Sequence, residues 1–452
     1  MTGKERIINT LEHKSTDKLP WVPFAGIHAG ALKGYTATEV LQDSSKLFAS
    51  LMEVHKLYQP DGMPVIFDLQ VEAEILGCEL AWATDAPPSV KGHPCSEEAT
   101  IPCRCLLPKE TDGRLPMILE TMKKMKETVG ETTALYGLIC GPFTLASHLR
   151  GNNLFMDIIL NERYVKELMD FCTEVALKMI DLYVGAGMDI IAVVDPLVSQ
   201  ISPDHFTSMC NDSFSTIFNY IHSKGVKSSF FVCGNATRQL EVMCNTKPDS
   251  ISIDENVNII EAKKLTDDHN ITIGGNIPLT TLMLHGTQQD NMLYVINLLD
   301  QISHNNLIIA PGCDMPYAVP FENAIGVQQA IRETETVRGI LTNYKASKEV
   351  VDVSLPDYDN LLKPFVEVFT LDSATCAACT YMMGAANEMK AYFGNAINVN
   401  EYKYTEKINI ARCKKMGVTN LPSIYINGKL KWSSLIPSKE EFIKVILDTK
   451  LV

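Results

Sequence analysis

Five short apolar segments of this chain each end at a side chain that could take part in chemistry. The side chains are Asp195, Cys233, Asp254, Asn276 and Cys313. The segments are of strand length, rich in β-branched residues and apolar at consecutive positions, which is typical of parallel strands buried on both faces. In a barrel of such strands, the groups that follow the strands collect at one face. Two thiols and two carboxylates meeting there predict a catalytic or metal site.

A second pair of thiols lies near the carboxyl end of the chain, in Cys376-Ala-Ala-Cys379. Two cysteines with this spacing at a helix start can form a disulfide across one turn, and the helix amino end lowers the pKa of the first thiol. A metal site would need two more ligands, and Cys413 offers only one. The motif therefore predicts redox chemistry.

The elements that must position the first group are predicted to form a (β/α)₈ TIM barrel over residues 1–345. Further apolar segments at 21–24, 64–68 and 134–142 bring the number of predicted strands to eight, and helix-like stretches separate most of them. The proline-rich residues 78–109 are predicted to be a long irregular loop over one end of the barrel.

A linker is predicted over residues 346–362, followed by a small α/β domain over 363–452. Its predicted strands are 364–370, 396–402 and 421–428, and its predicted helices are 382–393, 406–416 and 439–450. Asn427-Gly428 is a typical tight hairpin turn.

Bulk composition excludes two classes of partner. The formal net charge of −14 argues against a nucleic-acid-binding surface. No run approaches 18 uninterrupted apolar residues and no signal peptide is evident, so we expect no membrane span. Thirteen cysteines without an export signal favour a reducing, cytoplasmic location. Oligomeric state stays open.

Residues 363–452 resemble the thioredoxin/glutaredoxin-like fold, in which Pro422 matches the position of the cis-proline. Residues 1–343 resemble the uroporphyrinogen decarboxylase superfamily, and most of all its methylcobalamin:coenzyme M methyltransferase branch. This resemblance rests on the order and spacing of 6–12 with 17–20, 67–68 with 72–77, 141–144, 187–190 with 195–196, 233–235, 252–255, 275–278 and 311–314 with 320–323.

The branch binds zinc through a His-x-Cys pair on one strand end and a distant cysteine on another. Cys233 and Cys313 match the two cysteines, whereas Phe231 stands where the histidine is expected and cannot bind a metal. Asp254 could supply a third ligand. Alternatively, the cysteines are metal-free thiols or a disulfide pair, and Asp195 and Asp254 are zinc ligands or helix caps.

The resemblance implies that a methyl group passes from a methylcorrinoid, free as methylcobalamin or on a corrinoid protein, to a small thiol or a cysteine. Asn276, Asn235 and His148 are predicted to line the substrate site, and Cys376, Cys379 and Pro422 to act as reductant or thiol donor. Two alternatives stay open. One is a non-catalytic corrinoid or thiol redox accessory. The other is a porphyrinogen decarboxylase, although residues 25–33 lack the arginines that this activity needs.

Overall fold

The computed structural model describes residues 1–346, 351–373 and 376–449. Parts of the predicted linker (347–350), of the loop before Cys376 (374–375) and of the carboxyl end (450–452) lie outside them. The strands are β1 (Gly62–Ile66), β2 (Glu79–Ala81), β3 (Ser89–Gly92), β4 (Ala134–Cys140), β5 (Ile190–Val194), β6 (Lys227–Val232), β7 (Ser250–Ile253), β8 (Thr272–Ile277), β9 (Leu307–Pro311), β10 (Phe365–Thr370), β11 (Asn398–Lys403), β12 (Ser423–Ile426) and β13 (Lys429–Ser433).

Helices alternate with these strands along most of the chain. They are α1 (Gly3–Leu11), α2 (His28–Ala31), α3 (Ala37–Gln42), α4 (Ser44–Tyr58), α5 (Val71–Ile75), α6 (Leu115–Val129), α7 (Pro142–Arg150), α8 (Asn153–Leu160), α9 (Glu162–Gly185), α10 (Pro203–His205), α11 (Asn211–Ser223), α12 (Leu240–Asn245), α13 (Ile259–Asp268), α14 (Gln288–Leu299), α15 (Phe321–Arg332), α16 (Thr334–Ile340), α17 (Ala377–Phe393), α18 (Lys407–Met416) and α19 (Lys439–Leu447). Short 3₁₀ helices occupy Arg104–Leu106, Pro196–Gln200 and Gly394–Ala396, and π-helical turns occupy Phe206–Cys210 and Leu279–Leu284.

Seven parallel strands form one sheet in the order β1-β4-β5-β6-β7-β8-β9. The segment around Trp21 closes this sheet into a barrel. Trp21 forms a parallel bridge with Ile309 in β9, and the amide N–H groups of Asp61 and Gly62 donate to the Trp21 carbonyl. Seven of the eight predicted strands form, and the predicted strand at 21–24 is reduced to the bridge at Trp21 that closes the sheet; the predicted TIM barrel is confirmed.

Aromatic and aliphatic side chains fill the barrel interior, with Phe24, Phe67, Tyr136 and Phe231 among them. Helix α1 joins the same cluster through buried Ile7 and Leu11, so it packs against one end of the interior. The opposite end, where the strands finish, carries the polar side chains. Because side chains fill the interior of such a barrel, a catalytic site is expected at the face where the strands end.

The predicted irregular loop at residues 78–109 holds an element that the sequence did not indicate. Strands β2 and β3 pair there as an antiparallel hairpin. Both are short and none of their residues is fully buried, so no alternating apolar pattern marks them. The rest of the segment, apart from one 3₁₀ turn, is irregular as predicted.

The carboxyl-terminal domain is a four-stranded sheet in the order β11-β10-β12-β13, with β10 parallel to β11 and antiparallel to β12. Helices α17 and α19 pack together against it. The peptide bond between Leu421 and Pro422 is cis, as the thioredoxin-like fold predicts. A buried ion pair of 2.6 Å joins Arg412 to Glu367 inside the domain. Across the described residues, no helix is long and apolar enough to cross a membrane.

Candidate active site

The two predicted sulfur ligands meet at the mouth of the barrel and are bonded to each other. Cys233 follows β6 and Cys313 follows β9, 80 residues later in the chain, yet they form a disulfide with a Cα–Cα distance of 6.0 Å. The separation is typical of disulfides. Both residues are half-buried. The barrel thus brings the two thiols together as predicted, in the oxidised form that was one of the open alternatives.

Phe231 lies in the barrel interior two residues before Cys233. Its ring is fully buried and stacks on Phe24 with ring centroids 4.8 Å apart, and it contacts Phe67 at 5.6 Å. Residues i and i+2 of a strand face the same side of a sheet, so Phe231 and Cys233 share the interior face. An apolar aromatic floor therefore lies below the disulfide where the family histidine is expected.

Asp254 lies beside the disulfide. Its carboxylate accepts hydrogen bonds from the Asn256 backbone (2.9 Å) and side chain (2.5 Å), and from the backbone N–H of Gly234, the residue after Cys233. Burial raises the pKa of this carboxyl group. The amide of Asn276 donates to the Asp254 carbonyl at 3.0 Å, so Asn276 holds the strand end that carries the carboxylate.

Asp195 caps a helix instead of pointing at the sulfurs. Its carboxylate accepts hydrogen bonds from the backbone N–H groups of Phe143 (2.9 Å) and Thr144 (3.1 Å) and from the Thr144 hydroxyl (2.6 Å), at the amino end of α7. Burial raises its pKa to about 7, and these hydrogen bonds oppose the rise. Helix α7 precedes Asp195 in the chain, and the carboxylate also accepts a hydrogen bond from the backbone N–H of Val198 in the 3₁₀ helix that follows. A Cβ at Gly141 would overlap this carboxylate, which explains the glycine there.

Three further carboxyl groups lie near strand ends, and sequence reasoning did not select them: Glu255 and Asp314 follow β7 and β9, and Glu72 of helix α5 accepts a hydrogen bond from the Cys140 N–H at the end of β4. Burial raises the pKa of Glu72 to about 7, and desolvation raises those of Glu255 and Asp314 to about 8. All three stood in segments that carried the family resemblance, next to or near predicted site residues. The sequence did not show that these three carboxyl groups are buried. Burial moves their pKa values close to neutral pH, where each group can donate or accept a proton.

The Cys376-Ala-Ala-Cys379 motif is reduced and begins helix α17. Cys376 is the N-cap residue, and its sulfur accepts a hydrogen bond from the Cys379 backbone N–H at 3.4 Å. Cys376 is half-buried, whereas Cys379 is fully buried and burial raises its pKa well above the ordinary thiol value. The arrangement suits a nucleophilic Cys376 and an inner Cys379 that resolves the mixed disulfide.

The redox helix is docked on the mouth of the barrel. Helix α17 contacts the 3₁₀ helix Pro196–Gln200, which follows β5. Its Tyr381 is buried against two barrel rings, those of His93 and Phe155, each at a centroid distance of 6.2 Å. In the loop that follows β6, Asn235 donates a 2.9 Å hydrogen bond to Asn420. The carboxyl-terminal domain therefore contacts the barrel face that carries the predicted site residues.

His148 is buried where the two domains meet. It lines a cleft of about 20 Å³ together with Thr380 and Tyr381 of α17. Within the described parts of the chain, neither ring nitrogen of His148 has a hydrogen-bond partner, and burial lowers its pKa to about 3. A cleft of this size holds about one water molecule. The predicted substrate residue therefore lies at the mouth, beneath the second domain.

The residues at the mouth do not fit zinc in this state. A zinc site needs at least three protein ligands, with each cysteine as a thiolate. Here the two sulfurs are bonded to each other and Phe231 offers no donor atom. Among residues 1–346, 351–373 and 376–449, no three His, Cys, Asp or Glu side chains are placed to hold one metal ion.

Comparison with known proteins places this architecture in a family. The chain belongs to the uroporphyrinogen decarboxylase (URO-D) family, which matches residues 2–334, and its residues 366–447 match a thioredoxin domain. Methylcobamide:CoM methyltransferase MtbA of Methanosarcina acetivorans is 28% identical over 330 residues, which cover 71% of this chain and 95% of that protein. Methylcobamide:CoM methyltransferase MtaA of Methanosarcina barkeri is 26% identical over 344 residues, with the same coverage.

Two more distant similarities complete the comparison. A uroporphyrinogen decarboxylase of Synechococcus is 21% identical over 235 residues, which cover 50% of this chain and 65% of that enzyme. The solved structure of a methyltransferase from Methanosarcina mazei superposes with a TM-score of 0.68 at 24% identity and covers 74% of this chain and 99% of that one. This likeness confirms the barrel fold.

Proposed function

We propose that the protein is a corrinoid-dependent methyltransferase that moves a methyl group from a methylcorrinoid to a thiol. The observation that carries the proposal is the meeting of Cys233 and Cys313 at the barrel mouth, at the two cysteine positions that the methyltransferase branch uses. The similarity to methylcobamide:CoM methyltransferases over nearly their whole length supports it, because that similarity spans the strands on both sides of the site.

The chemistry needs a thiolate acceptor and a proton acceptor. The thiolate sulfur attacks the methyl carbon, and the new S–C bond forms as the Co–C bond breaks with both electrons passing to cobalt. The products are a methyl thioether and cob(I)alamin. Glu255 is the candidate for the proton transfer because it follows Asp254 at the end of β7, its carboxylate accepts a hydrogen bond from the Leu279 N–H, and burial raises its pKa to about 8. Asp254 and Asn276 would shape the sulfur site, and Asp195 would act through helix α7.

Zinc activation of the thiol is not part of this proposal, since the oxidised pair and Phe231 do not fit the metal. The alternative acceptor is a thiol of the protein itself, and Cys376 is the candidate because it is half-buried at the start of the helix that contacts the barrel mouth. The carboxyl-terminal domain would serve as reductant or as thiol donor. In either role it must move, because a corrin ring is far larger than the 20 Å³ cleft beneath Tyr381.

The testing experiment is an anaerobic spectral assay with methylcobalamin and protein that has been reduced with dithiothreitol and then freed of it by gel filtration, with either 2-mercaptoethanesulfonate or no added thiol. We expect protein-dependent formation of cob(I)alamin and a methyl thioether identified by mass spectrometry. Cys233→Ser and Cys313→Ser should lose this activity, whereas Cys103→Ser, which alters an exposed cysteine of the 78–109 segment, should keep it. A methylated Cys376 in the assay without added thiol would identify the protein as its own acceptor.

A second candidate is a thiol redox accessory without methyl transfer, which the disulfide and Phe231 favour. Folded, fully reduced protein that never converts methylcobalamin with any thiol would support this candidate and reject the first. The decarboxylase alternative has no comparable observation in its favour.

A further inference from the structure

One chain holds a disulfide and a dithiol in docked domains. Cys233 and Cys313 are oxidised at the barrel mouth, and Cys376 and Cys379 are free at the start of the helix that contacts this mouth. Disulfide exchange between two such pairs needs no external electron donor, since one pair gains the electrons that the other loses.

We propose that Cys233–Cys313 is a regulatory disulfide whose dedicated reductant is the Cys376/Cys379 pair of the same molecule, so that the redox state of the carboxyl-terminal domain turns the barrel on or off. This proposal rests on the proposed function only for the activity that the disulfide regulates, which is methyl transfer by the barrel. The exchange itself can be observed without any methyl transfer.

Contacts on the first side connect the redox helix with Cys233. Ser199 belongs to the 3₁₀ helix that α17 contacts. Its hydroxyl oxygen lies so close to Gly234 that a Cβ there would be 2.9 Å from it. Gly234 is the residue after Cys233 and has a φ of +87°, which favours glycine. The 3₁₀ helix Pro196–Gln200 therefore lies between the backbone beside Cys233 and α17, and contacts both.

Contacts on the second side connect the cis-proline loop with the same segment. Asn235 lies two residues after Cys233 and donates to Asn420, two residues before Pro422. Pro422 lies at the same end of its sheet as Cys379. Strand β12 begins at Ser423 opposite Phe369 of β10, and the Leu371 N–H just beyond β10 donates to the Cys379 sulfur at 3.3 Å. The segment 233–235 therefore lies between two elements next to the redox cysteines. One is the 3₁₀ helix that contacts α17, and the other is the loop before the cis-proline.

The difference in burial between Cys376 and Cys379 indicates which sulfur attacks the barrel disulfide first. Cys376 is the more exposed sulfur and lies at a helix amino end, so its thiolate attacks Cys233. The S–S bond of the barrel breaks, and Cys313 leaves as a thiolate that takes up a proton. The buried Cys379 sulfur then attacks Cys376, and Cys233 leaves as a thiolate that takes up the proton released by Cys379. The products are a Cys376–Cys379 disulfide and two barrel thiols, with two electrons transferred. An external dithiol then reduces the Cys376–Cys379 disulfide through its more exposed sulfur, that of Cys376.

Cys233 is assigned as the target because Asn235, two residues after it, donates a hydrogen bond to Asn420 of the second domain. This relay would also explain why the barrel lacks a metal-binding residue at Phe231. Two cysteines that must form a disulfide need no third ligand. A histidine in place of Phe231 would let the reduced pair bind a metal, and the bound metal would prevent disulfide formation.

The test follows the redox state of each cysteine in the full chain. Fully oxidised protein is treated with about 0.1 mM dithiothreitol, quenched by alkylation and mapped by mass spectrometry. A tethered thiol acts at about millimolar effective concentration, so reduction of Cys233–Cys313 should be about tenfold slower in Cys376→Ser than in the wild type. Cys103→Ser is the matched control and should match the wild type. Equal rates in Cys376→Ser and wild type would overturn the relay.

A trapping variant tests the pairing independently of rates. In Cys313→Ser with Cys379→Ser, mild oxidation should join Cys376 to Cys233. In Cys233→Ser with Cys379→Ser, much less of a bond from Cys376 to Cys313 should form. Preferential trapping of Cys313 would overturn the assigned target, and bonds found only between light and isotope-labelled chains would overturn the intramolecular route. Methyl transfer by fully reduced protein with no exchange would reject this relay and leave the proposed function intact.

Discussion

Asn235 of the barrel donates a 2.9 Å hydrogen bond to the side-chain oxygen of Asn420 in the carboxyl-terminal domain. Each residue lies two positions from a group that defines its own site, Cys233 in the barrel and Pro422 in the second domain. The Asn235 oxygen also accepts from the Thr237 hydroxyl at 2.7 Å, which orients the amide. The two domains therefore meet at the segments next to Cys233 and Pro422.

Tyr381 is expected to hold the two domains together. Its ring is buried between His93 and Phe155, and truncation of a buried aromatic residue costs about 3–5 kcal/mol. Tyr381→Ala should therefore undock the carboxyl-terminal domain and raise the radius of gyration measured by small-angle X-ray scattering. Tyr392→Ala is the control, because Tyr392 lies on the same helix and is 60% exposed. An unchanged scattering curve for Tyr381→Ala would show that other contacts hold the domains.

Phe231→His should create a zinc site in the reduced protein. The new imidazole would lie on the same strand face as Cys233, and with Cys313 it would complete three ligands. We expect zinc to bind at least tenfold more tightly than to reduced wild type in a chelator competition, with a loss of about 1–3 kcal/mol of stability from the broken ring stack.

Phe230→His is the matched control for that variant. Phe230 points to the opposite face, where it stacks on Phe214 at 4.4 Å, so a histidine there cannot reach the sulfurs. Equal zinc affinities for the two variants would contradict the predicted geometry of the mouth.

His148 should make the docking of the domains sensitive to pH. Burial lowers its pKa to about 3, while an exposed histidine has a pKa of about 6.5. Between these values the undocked state binds the extra proton, so docking is fully stable above pH 6.5 and weakens as pH falls. The loss at pH 5 is about 2 kcal/mol if undocking exposes the ring.

Small-angle scattering at pH 7.5 and pH 5 measures this effect. The expansion at pH 5 should disappear in His148→Asn and persist in His269→Asn, whose histidine lies on the barrel surface beside Glu241. His93 packs nearby and contacts the His148 carbonyl, so His93→Asn separates its contribution. A pH response that survives in His148→Asn would reject this role.

Asp195 should contribute stability through helix α7 and not through the sulfur chemistry. Asp195→Ala leaves the Phe143 N–H, the Thr144 N–H and the Thr144 hydroxyl without this acceptor, at about 1–3 kcal/mol for each buried group. Thermal unfolding should show a large loss of stability, with a smaller one in Asp195→Asn, which keeps an acceptor oxygen. If Asp195→Asn abolished methyl transfer without any change in unfolding, Asp195 would instead belong to the reaction.

The strands and their terminal residues follow from local sequence patterns. Runs of β-branched and apolar residues predict buried parallel strands, and the barrel topology then requires that Cys233 and Cys313 approach each other. The Cys376-Ala-Ala-Cys379 motif and Leu421-Pro422 likewise indicate the second fold, because their spacing reflects a local strand–helix unit. These features are encoded over short stretches, so the sequence alone determined them.

Tertiary structure decided the rest, because the deciding interactions join residues far apart in the chain. The bond between Cys233 and Cys313, the helix that Asp195 caps and the aromatic floor around Phe231 each depend on packing between separate strands. Burial of Glu255, Asp314 and His148, which moves their pKa values, arises only once the surrounding segments assemble. The docking of the redox helix on the barrel mouth has no local signature, since it is the product of two separately folded surfaces.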